Sequence, residues 1–442
     1  MNVDPYQGKS VVVVGYGITG KAVTEFLVLN GASVKVFYDG KINEMPNPFG
    51  FSIAPVDSGF LQQVELADLV VLSPGVPLSH PVFRSSVPKI SELELAFRHS
   101  STPMIAVTGT NGKTTVTTLV TEMLTRAGLR AKAVGNIGTS IISMIGEELD
   151  FFVVEASSFQ LATIESFCPK IAVWTNFTPD HLDWHQSIDH YKLSKARIFE
   201  NQGRGDVAVV NGADPVIASI SLPKEVTSVS FGLGNYGFGL SEDSSFLIAR
   251  GTEFVKVSEL PRTLPHDLEN ALASSAAAFS AGVGLDEIAD VLRGFEGLPH
   301  RVELVGVLEG VSYYNDSKAT TPASVIAAVG GFESVVLIAG GKNKGLDLSP
   351  LVELIPRLKS VIAIGDAAGE VEEVFSEHVT FPVLRAYSMT DAVMKAREQA
   401  SAGDAVLLSP GCTSFDWYSS YVERGDDFRT IVQAMTSRDV NK

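Results

Sequence analysis

The stretch MIAVTGTNGKTT, residues 104–115, decides the fold of this 442-residue chain. Its apolar first half predicts a buried β-strand, and the stretch Val116 to Ala127 that follows predicts a helix. A glycine-containing loop between a strand and a helix can bind phosphate, because glycine lets successive backbone N–H groups approach an anion. Lys113 adds a positive charge, and the Thr114 hydroxyl can reach a phosphate-bound Mg²⁺. The stretch therefore predicts a site for a nucleoside triphosphate.

The spacing of this loop differs from that of the usual phosphate-binding loop. The usual motif has four residues between its first glycine and the Gly-Lys pair, whereas two residues separate Gly109 from Gly112-Lys113. Because the order of strand, loop and helix is intact, we favour triphosphate binding over a turn with a chance Lys-Thr pair. The loop residues predicted to bind the triphosphate are Gly109, Thr110, Asn111, Gly112, Lys113, Thr114 and Thr115.

Other short apolar runs that end in Gly, Asn, Asp or Pro recur along the chain. They are residues 11–15, 69–75, 151–155, 171–176, 335–341, 361–366 and 405–411. Runs of this kind suit strands buried on both faces, so they predict an α/β fold with mainly parallel sheets covered by helices. Breaks near 100–103 and 297–299 predict three domains, 1–101, 102–299 and 300–442. We expect Rossmann-like terminal domains and a central phosphate-loop domain.

The composition limits the classes of partner. The net charge of −17 and the pI of about 4.9 argue against nucleic-acid binding, which needs a basic face. The two cysteines are far apart in sequence, which favours a reducing cytoplasm. The apolar run near the start is too short for a signal peptide or a membrane span. We therefore expect a cytoplasmic protein with no membrane insertion.

Acidic and imidazole side chains follow two of the predicted strands. Glu155 closes one strand, and Asp180-His181 follows the next. Ligands bind beyond the carboxyl ends of strands in such sheets, so these groups can hold Mg²⁺ bridged to phosphate. The pair His181 and His185 imitates a zinc helix, but Leu182 stands where a zinc protease has glutamate. We therefore reject zinc and favour a structural role for His185.

A second glycine loop lies near the N-terminus. The stretch GYGITG, residues 15–20, matches the dinucleotide-binding fingerprint, and Asp39 ends the next apolar segment, about where a ribose-binding acid belongs. Taken alone, this loop predicts a nicotinamide-dependent oxidoreductase. That reading gives the loop at 108–115 no purpose.

Further motifs run through the whole chain in a fixed order. They are GNIG at 135–138, EASSFQL at 155–161, NFTPDH at 176–181, YKLSKAR at 191–197, LPHR at 298–301, NDSKAT at 315–320 and SPGCTSFD at 409–416. Together with the shortened phosphate loop, they make the chain resemble the Mur ligase superfamily, which builds the peptide stem of bacterial cell-wall precursors. The N-terminal glycine loop and the segment 409–416 make it most similar to the branch that joins D-glutamate to UDP-N-acetylmuramoyl-L-alanine.

The resemblance implies an ATP-dependent amide ligase in peptidoglycan synthesis, with a UDP-substrate-binding, an ATP-binding and an amino-acid-binding domain in that order. ATP converts the substrate carboxylate to an acyl phosphate, the D-glutamate amine attacks it, and ADP and phosphate leave. The implied partners are small molecules only, and the implied state is a monomer. The implied catalytic residues are Lys113, Glu155, His181 and Lys195.

The resemblance also implies the cofactors. It implies two Mg²⁺ ions supported by Thr114, Glu155, His181 and Lys195. Lys195 is carbamylated by CO₂ in the family, so that its new carboxylate helps to place a metal ion. Without the resemblance, the sequence would favour a solvated helix lysine at this position.

Substrate contacts are carried over in the same way. For ATP they are Asn270, Arg301 and Asp316, in addition to the loop; Asp267 stands where the family often has Asn and cannot donate as an amide does. For the UDP-substrate they are Ile18, Thr19, Asp39, Gly40, Ser73, Gly75, Asn136 and Ser157. For the amino acid they are Lys318, Thr320, Lys344, Ser414, Phe415 and Tyr421, the last standing where the family often has Phe.

Three alternatives stay open at this point. A dehydrogenase explains only the N-terminal loop. A non-catalytic nucleotide switch explains only the phosphate loop and gives NDSKAT and SPGCTSFD no purpose. Another ligase of the superfamily, including its folylpolyglutamate branch, differs only in the amino acid or acceptor, and the choice of D-glutamate depends on the resemblance alone.

Overall fold

The computed structural model describes residues 6–38, 51–182, 184–376 and 379–439, with the side chains of 437–439 left out. The chain forms two compact units, one of residues 1–263 with 267–295 and the other of residues 264–266 with 296–442. Two sheets lie in the first unit and one in the second. The fold is α/β as predicted, whereas the predicted boundaries at 101 and 299 stay predictions.

The first sheet has five parallel strands in the order β3-β2-β1-β4-β5. The strands are β1 (Ser10–Val14), β2 (Ser33–Phe37), β3 (Ser52–Ala54), β4 (Leu69–Leu72) and β5 (Lys89–Ser91). This is the strand order of the doubly wound nucleotide-binding fold, which confirms the Rossmann-like prediction. The order reverses between β1 and β4, so the loops after these two strands border the crevice where such sheets bind ligands.

The second sheet has nine strands in the order β14-β13-β12-β11-β10-β9-β6-β8-β7. They are β6 (Met104–Thr108), β7 (Ala131–Gly135), β8 (Phe151–Glu155), β9 (Ile171–Trp174), β10 (Val207–Asn211), β11 (Thr227–Phe231), β12 (Phe238–Leu240), β13 (Phe246–Ala249) and β14 (Thr252–Lys256). All pairs are parallel except β12–β13 and β13–β14. The strand β6, which leads into the phosphate loop, lies between β8 and β9.

The third sheet, in the second unit, has six strands in the order β15-β16-β20-β17-β18-β19. They are β15 (Glu303–Leu308), β16 (Val311–Asn315), β17 (Val335–Gly340), β18 (Leu358–Ile364), β19 (Val383–Arg385) and β20 (Ala405–Gly411). Only the β15–β16 pair is antiparallel. The ends of β16, β17 and β20 therefore meet at one edge.

Helices cover these sheets. They are α1 (Ile18–Leu29), α2 (Phe60–Val64), α3 (Glu92–His99), α4 (Lys113–Arg126), α5 (Ser158–Leu161), α6 (Ile188–Ala196), α7 (Pro215–Ala218), α8 (Pro265–Ser280), α9 (Leu285–Gly294), α10 (Pro322–Val329), α11 (Ala368–Ser376), α12 (Met389–Gln399) and α13 (Tyr421–Asp439). Short 3₁₀ turns span Pro81–Arg84, Ile142–Met144, Arg197–Phe199, Val257–Glu259 and Ser349–Arg357. No helix in the described part of the chain is long and apolar enough to cross a membrane.

Helix α3 joins the first two sheets through two buried carboxylates. Glu92 accepts hydrogen bonds from Ser140 Oγ (2.5 Å) and the Ile142 N–H (3.1 Å). Glu94 is fully buried and accepts from the N–H groups of residues 165–167 and from Arg98 Nε (2.7 Å). Apolar residues of α3 also share one core with the central sheet. The first glycine loop and the phosphate loop are therefore held in one packed body.

Candidate active site

The phosphate loop has a backbone that only glycine can adopt at two positions. Gly109 has a φ of +153° and Gly112 a φ of +79°, and α4 begins directly after Gly112. A Cβ atom on Gly109 would lie 1.9 Å from Thr175 Oγ1, and one on Gly112 would lie 2.2 Å from Asn270 Oδ1. Both glycines are therefore required by left-handed backbone and by close packing. Asn270, a predicted ATP contact, lies directly against the loop.

The end of β9 braces the shortened loop. The Asn111 N–H donates to Asn176 Oδ1 (2.8 Å), and Asn176 Nδ2 donates to the Asn111 carbonyl (3.1 Å). The Thr110 N–H donates to the Asn176 carbonyl (3.1 Å), and Thr175 Oγ1 donates to the Asn111 carbonyl (2.7 Å). These bonds hold the loop in one conformation although it is two residues shorter than the usual motif.

Two lysines converge on one carbonyl of the loop. Lys113 Nζ donates to the Gly109 carbonyl (2.9 Å), and Lys195 Nζ from α6 donates to the same oxygen (2.7 Å). Lys195 is 1% exposed, so burial, together with the charge of Lys113, lowers its pKa well below the ordinary value. The expectation of a solvated helix lysine, made without the resemblance, is thus wrong. The deprotonated amine is the form that burial favours.

Glu155 presents a buried oxygen to the same region. Asn136 Nδ2 donates to Glu155 Oε1 (2.9 Å), so two predicted site residues are in contact. Within the described ranges, Glu155 Oε2 is buried and has no hydrogen-bond partner. A buried carboxylate oxygen without a partner is unfavourable, and a bound cation would compensate for it. The position of Glu155, level with Val107 on the neighbouring strand β6, therefore fits a divalent cation beside the phosphates.

The other candidate metal ligands, Thr114 and His181, follow β6 and β9, which are adjacent strands of the central sheet. Thr114 is buried in the first turn of α4, and His181 lies after β9 with a φ of +54°. In the part of the chain that the structure describes, no group of three or more His, Cys, Asp or Glu side chains is arranged to hold a metal ion. A cation at Glu155 would therefore need other oxygen ligands, such as a hydroxyl, phosphates or a modified lysine.

His185 and Ser157 have structural contacts. His185 Nε2 lies 2.9 Å from Ser158 Oγ, and its Nδ1 lies 3.1 Å from His190 Nδ1. Burial lowers the pKa of His185 to about 3, so its ring is neutral, in line with the structural role predicted for it. Ser157 caps α5 in a reciprocal capping box with Gln160. A contact of Ser157 with the UDP-substrate stays a prediction.

The N-terminal glycine loop borders a cavity of about 470 Å³. Four predicted UDP-substrate residues line it, namely Ile18, Thr19, Ser73 and Gly75. A Cβ atom on Gly20 would lie 2.1 Å from the Gly15 carbonyl oxygen, so this glycine lets α1 pack closely against β1. Asp39 and Gly40 lie outside the described residues.

The second unit gathers the predicted amino-acid residues near the ends of β16, β17 and β20. Lys318 Nζ lies 5.1 Å from the Tyr421 ring centroid, and Lys344 Nζ lies 5.5 Å from that of Phe415. The remaining two, Thr320 and Ser414, follow β16 and β20 in the chain. Two cation–π pairs of predicted residues therefore form at this edge.

The predicted ATP residues are divided between the units. Asn270 belongs to the first unit, and Arg301 and Asp316 belong to the second. Asp316 accepts from Ser409 Oγ (2.7 Å) and the Val302 N–H (3.3 Å). Asp267 pairs with Arg262 Nη2 at 3.0 Å in a largely buried ion pair.

Sequence reasoning missed Arg424, in α13. Its guanidinium is 1% exposed and donates to Ser317 Oγ (2.9 Å), the Ser317 carbonyl (2.8 Å) and the Cys412 carbonyl (3.1 Å). Its Nη1 is buried without a hydrogen-bond partner among the described residues. Burial lowers its pKa to about 10. An arginine in a polar helix segment is typical of a solvated face, so no sequence signal separated it from its neighbours.

Comparison with known families decides between the alternatives. Residues 9–92 match the model of the "Mur ligase MurD-like, N-terminal domain", residues 107–278 that of the "Mur ligase middle domain", and residues 300–412 that of the "Mur ligase, glutamate ligase domain". The chain belongs to the Mur ligase family. The dehydrogenase and nucleotide-switch alternatives are thereby excluded.

Individual relatives agree with this assignment. This Mur ligase is 40% identical over 448 residues to the UDP-N-acetylmuramoylalanine–D-glutamate ligase of Pelotomaculum thermopropionicum, covering 97% of this chain and 98% of the relative. The solved pseudomurein peptide ligase type C of Methanothermus fervidus is 18% identical, with a TM-score of 0.62 over 97% of this chain and 100% of that one. The MurF ligase of Thermotoga maritima, solved with ADP, is 15% identical, with a TM-score of 0.61 over 98% and 97%. At these identities the two solved structures show a likeness of fold.

Proposed function

We propose that this Mur ligase uses ATP to join D-glutamate to UDP-N-acetylmuramoyl-L-alanine in peptidoglycan precursor synthesis. Its near-full-length relatives carry the name of that ligase at up to 40% identity. The structural observation that carries the proposal is the convergence of Lys113, Lys195 and Glu155 on the braced phosphate loop. A separate cavity beside the N-terminal glycine loop suits a second nucleotide.

The reaction needs both nucleotide sites. A carboxylate is a poor electrophile because its oxide cannot leave, so ATP first phosphorylates it and ADP departs. The D-glutamate amine then attacks the acyl carbon, and the tetrahedral intermediate expels phosphate as the amide forms. Lys113 and the N–H groups at the start of α4 stabilise the negative charge of the transferring phosphoryl group. Asn136, held by Glu155, orients the muramoyl carboxylate.

The residues present fit a divalent cation. Thr114, Glu155, His181 and a carbamate on Lys195 would hold Mg²⁺, with phosphate oxygens completing the sites. The cation supplies charge neutralisation on the phosphates when it is bound. The unpartnered Oε2 of Glu155 is the observation that supports this assignment. Two ions are proposed because the resemblance to the family implies two.

The environment of Lys195 supports the carbamylation that the family resemblance implies. A neutral amine attacks CO₂ through its nitrogen lone pair and then loses a proton, which leaves an N-bound carboxylate. Burial, together with the charge of Lys113, lowers the pKa of Lys195 and so favours this neutral amine. A carbamate at this position would replace the amine that donates to the Gly109 carbonyl with an anionic ligand for the metal ion.

The substrate assignments complete the proposal. Ile18, Thr19, Ser73 and Gly75 would hold the UDP portion in the N-terminal cavity. The lysine–aromatic pairs Lys318–Tyr421 and Lys344–Phe415 would bind the two carboxylates of D-glutamate, with Thr320 and Ser414 beside them. Asn270, Arg301 and Asp316 would contact the nucleoside part of ATP.

We also propose that the enzyme works in the cytoplasm, as its two separated cysteines suggest, and that it is a monomer. Light scattering during size exclusion checks the monomer: a mass near 47.2 kDa is expected, and a stable dimer mass would contradict it.

The direct test is phosphate release from ATP with UDP-N-acetylmuramoyl-L-alanine and a panel of amino acids. We expect phosphate release to need both the acceptor and D-glutamate and to match the amide product one to one. L-Glutamate, D-aspartate and diaminopimelate serve as matched alternatives. Phosphate release that depends on another amino acid would reassign the enzyme within the family, and release without any amide product would overturn the ligase assignment.

A further inference from the structure

Trp184 connects the N-terminal cavity to the turn that carries His181. Its indole Nε1 donates to the Val76 carbonyl (2.7 Å), and Val76 lines the cavity of the N-terminal glycine loop. The Val76 N–H in turn donates to the Ser73 carbonyl (3.1 Å). The segment that borders this cavity is therefore hydrogen-bonded directly to Trp184, which follows the central strand β9 in the chain.

The other contacts of Trp184 lead to the candidate metal ligands. Its backbone N–H donates to the His181 carbonyl (3.1 Å), and its ring lies 4.8 Å from the Phe159 ring, which lies 4.9 Å from the His181 ring. Its ring also stacks at 11° on His190 of α6, the helix that carries Lys195. The Trp184 side chain thus contacts Val76 beside the N-terminal cavity, and Phe159 and His190 beside the candidate metal ligands.

His181 has a reason to need such support. Its φ of +54° is uncommon for a residue other than glycine, so its conformation persists only where surrounding contacts hold it. The Trp184 and His185 N–H groups both donate to its carbonyl, at 3.1 Å and 2.8 Å. The bond from Trp184 to Val76 anchors this turn to the N-terminal cavity.

We propose that Trp184 is a positioning residue that couples occupancy of the N-terminal cavity to the placement of His181 beside the phosphate loop. A ligand that contacts the segment 73–77 fixes the Val76 carbonyl, and the bond to the indole N–H transmits this position to the turn. By linkage, Mg²⁺-nucleotide at the phosphate loop and UDP-substrate in the cavity then strengthen each other's binding. This inference rests on the proposed function, because its ligands are the proposed substrates.

The test is calorimetric binding of UDP-N-acetylmuramoyl-L-alanine, with and without saturating Mg²⁺ and a non-hydrolysable ATP analogue. In the wild type we expect the analogue to tighten binding of the UDP-substrate by about fivefold or more, as is typical of coupled sites. The Trp184→Phe variant keeps an aromatic ring but loses the N–H donor. We expect its coupling factor to fall to about one, while its affinity for each ligand alone changes by less than about threefold.

Two further variants separate coupling from general damage. Phe159→Leu keeps the indole N–H but removes the ring between Trp184 and His181, so it should also lower the coupling factor. Trp417→Phe is the matched tryptophan control; it is a partly buried residue of the second unit, and coupling should stay at the wild-type value. Equal thermal unfolding of all variants and the wild type checks that each one folds.

The outcomes are distinct. Coupling in the wild type that is lost in Trp184→Phe and Phe159→Leu supports the proposal. A wild type that binds both ligands without coupling, or a Trp184→Phe or Phe159→Leu variant that retains full coupling, overturns it and leaves the proposed function standing. A wild type that does not bind the UDP-substrate at all contradicts the proposed function itself.

Discussion

The loop at Gly15–Gly20 and the loop at Thr108–Lys113 each connect a buried strand to a helix, and a lysine follows a glycine in both. The lysines behave differently. Lys21 is exposed on α1, with its Nζ 5.7 Å from the Tyr16 ring, whereas Lys113 turns back onto the carbonyls of its own loop. The loop at residues 15–20 thus has no charged side chain folded onto its backbone, whereas the loop at residues 108–113 has that of Lys113. We call them the neutral loop and the charged loop.

The two loops also need their glycines for different structural reasons. Gly20 is required because backbone packs on backbone, with the Gly15 carbonyl 2.1 Å from an added Cβ. Gly112 is required because a side chain, that of Asn270, reaches into the loop. Similar motifs can therefore hold a nucleotide through shape in one place and through charge in another. The reactive phosphates belong at the charged loop.

Replacing Lys113 with Met should have the largest effect on this contrast. The change removes the charge that stabilises the transferring phosphoryl group, so we expect the kcat of phosphate release to fall by about 10²- to 10³-fold. Lys21→Met is the matched control at the neutral loop and should leave the kcat and the KM for ATP unchanged. A Lys113→Met enzyme with more than about a tenth of wild-type kcat would show that charge does not distinguish the loops.

Replacing Lys195 with Ala should have the next largest effect. Loss of the proposed carbamate removes a metal ligand, and we expect the kcat to fall on the order of 10²-fold, with partial recovery when short-chain carboxylic acids are added. Because burial lowers the pKa of Lys195, the carbamate should persist to a lower pH than on a solvent-exposed lysine and be lost as the pH falls further and the amine is protonated.

The Lys195 experiment has a matched control and a direct readout. Lys192→Ala lies on the same helix, where Lys192 makes a solvent-exposed pair with Asp189, and it should leave turnover unchanged. Carbon-13 NMR after exposure to labelled CO₂ should show a carbamate signal in the wild type that Lys195→Ala lacks. Wild-type turnover in Lys195→Ala would remove the assignment.

Much of the fold could be predicted from the sequence. Apolar runs that end in Gly, Asn or Asp marked strands such as β6, β17 and β20, because a strand buried on both faces needs continuous apolar residues and a turn must follow it. The antiparallel extension β12–β14 was not predicted, since β12 and β13 span only three and four residues and β14 lacks a continuous apolar run. Strand ends also located Glu155 and the phosphate loop.

The rest of the site depends on contacts distant in sequence. The sequence around Asn176 does not indicate its bond to Asn111, and the sequence around Trp184 does not indicate its bond to Val76. The periodicity of apolar residues predicts a helix or a strand, but it does not predict which distant residue that element will contact. Lys195 and Arg424 carry charges that normally remain in water, so only their burial in the folded chain sets them apart.

Replacing Gly20 or Gly112 with Ala should have an effect of intermediate size, and the two variants should affect the KM values of different substrates. Gly20→Ala forces α1 away from β1, and we expect the KM for the UDP-substrate to rise about tenfold, from ~1–3 kcal/mol of overpacking. Gly112→Ala clashes with Asn270 in a left-handed conformation and should raise the KM for ATP instead. Each variant is the control for the other. Variants that raise both KM values equally would show that the loops do not act as separate sites.

Replacing Ser73 with Ala should give the smallest effect. Ser73 Oγ donates a long hydrogen bond to the Gly15 carbonyl (3.3 Å), so its loss should weaken binding of the UDP-substrate by about 2- to 5-fold. Affinity for the ATP analogue, measured by the same calorimetry, should not change. Thr175→Val is the counterpart at the charged loop, where Thr175 Oγ1 donates to Asn111, and it should weaken the analogue alone. A loss beyond about tenfold in Ser73→Ala would mean that Ser73 contacts the nucleotide directly. The N-terminal loop would then depend on side-chain donors as the phosphate loop does, and shape alone would no longer separate the two.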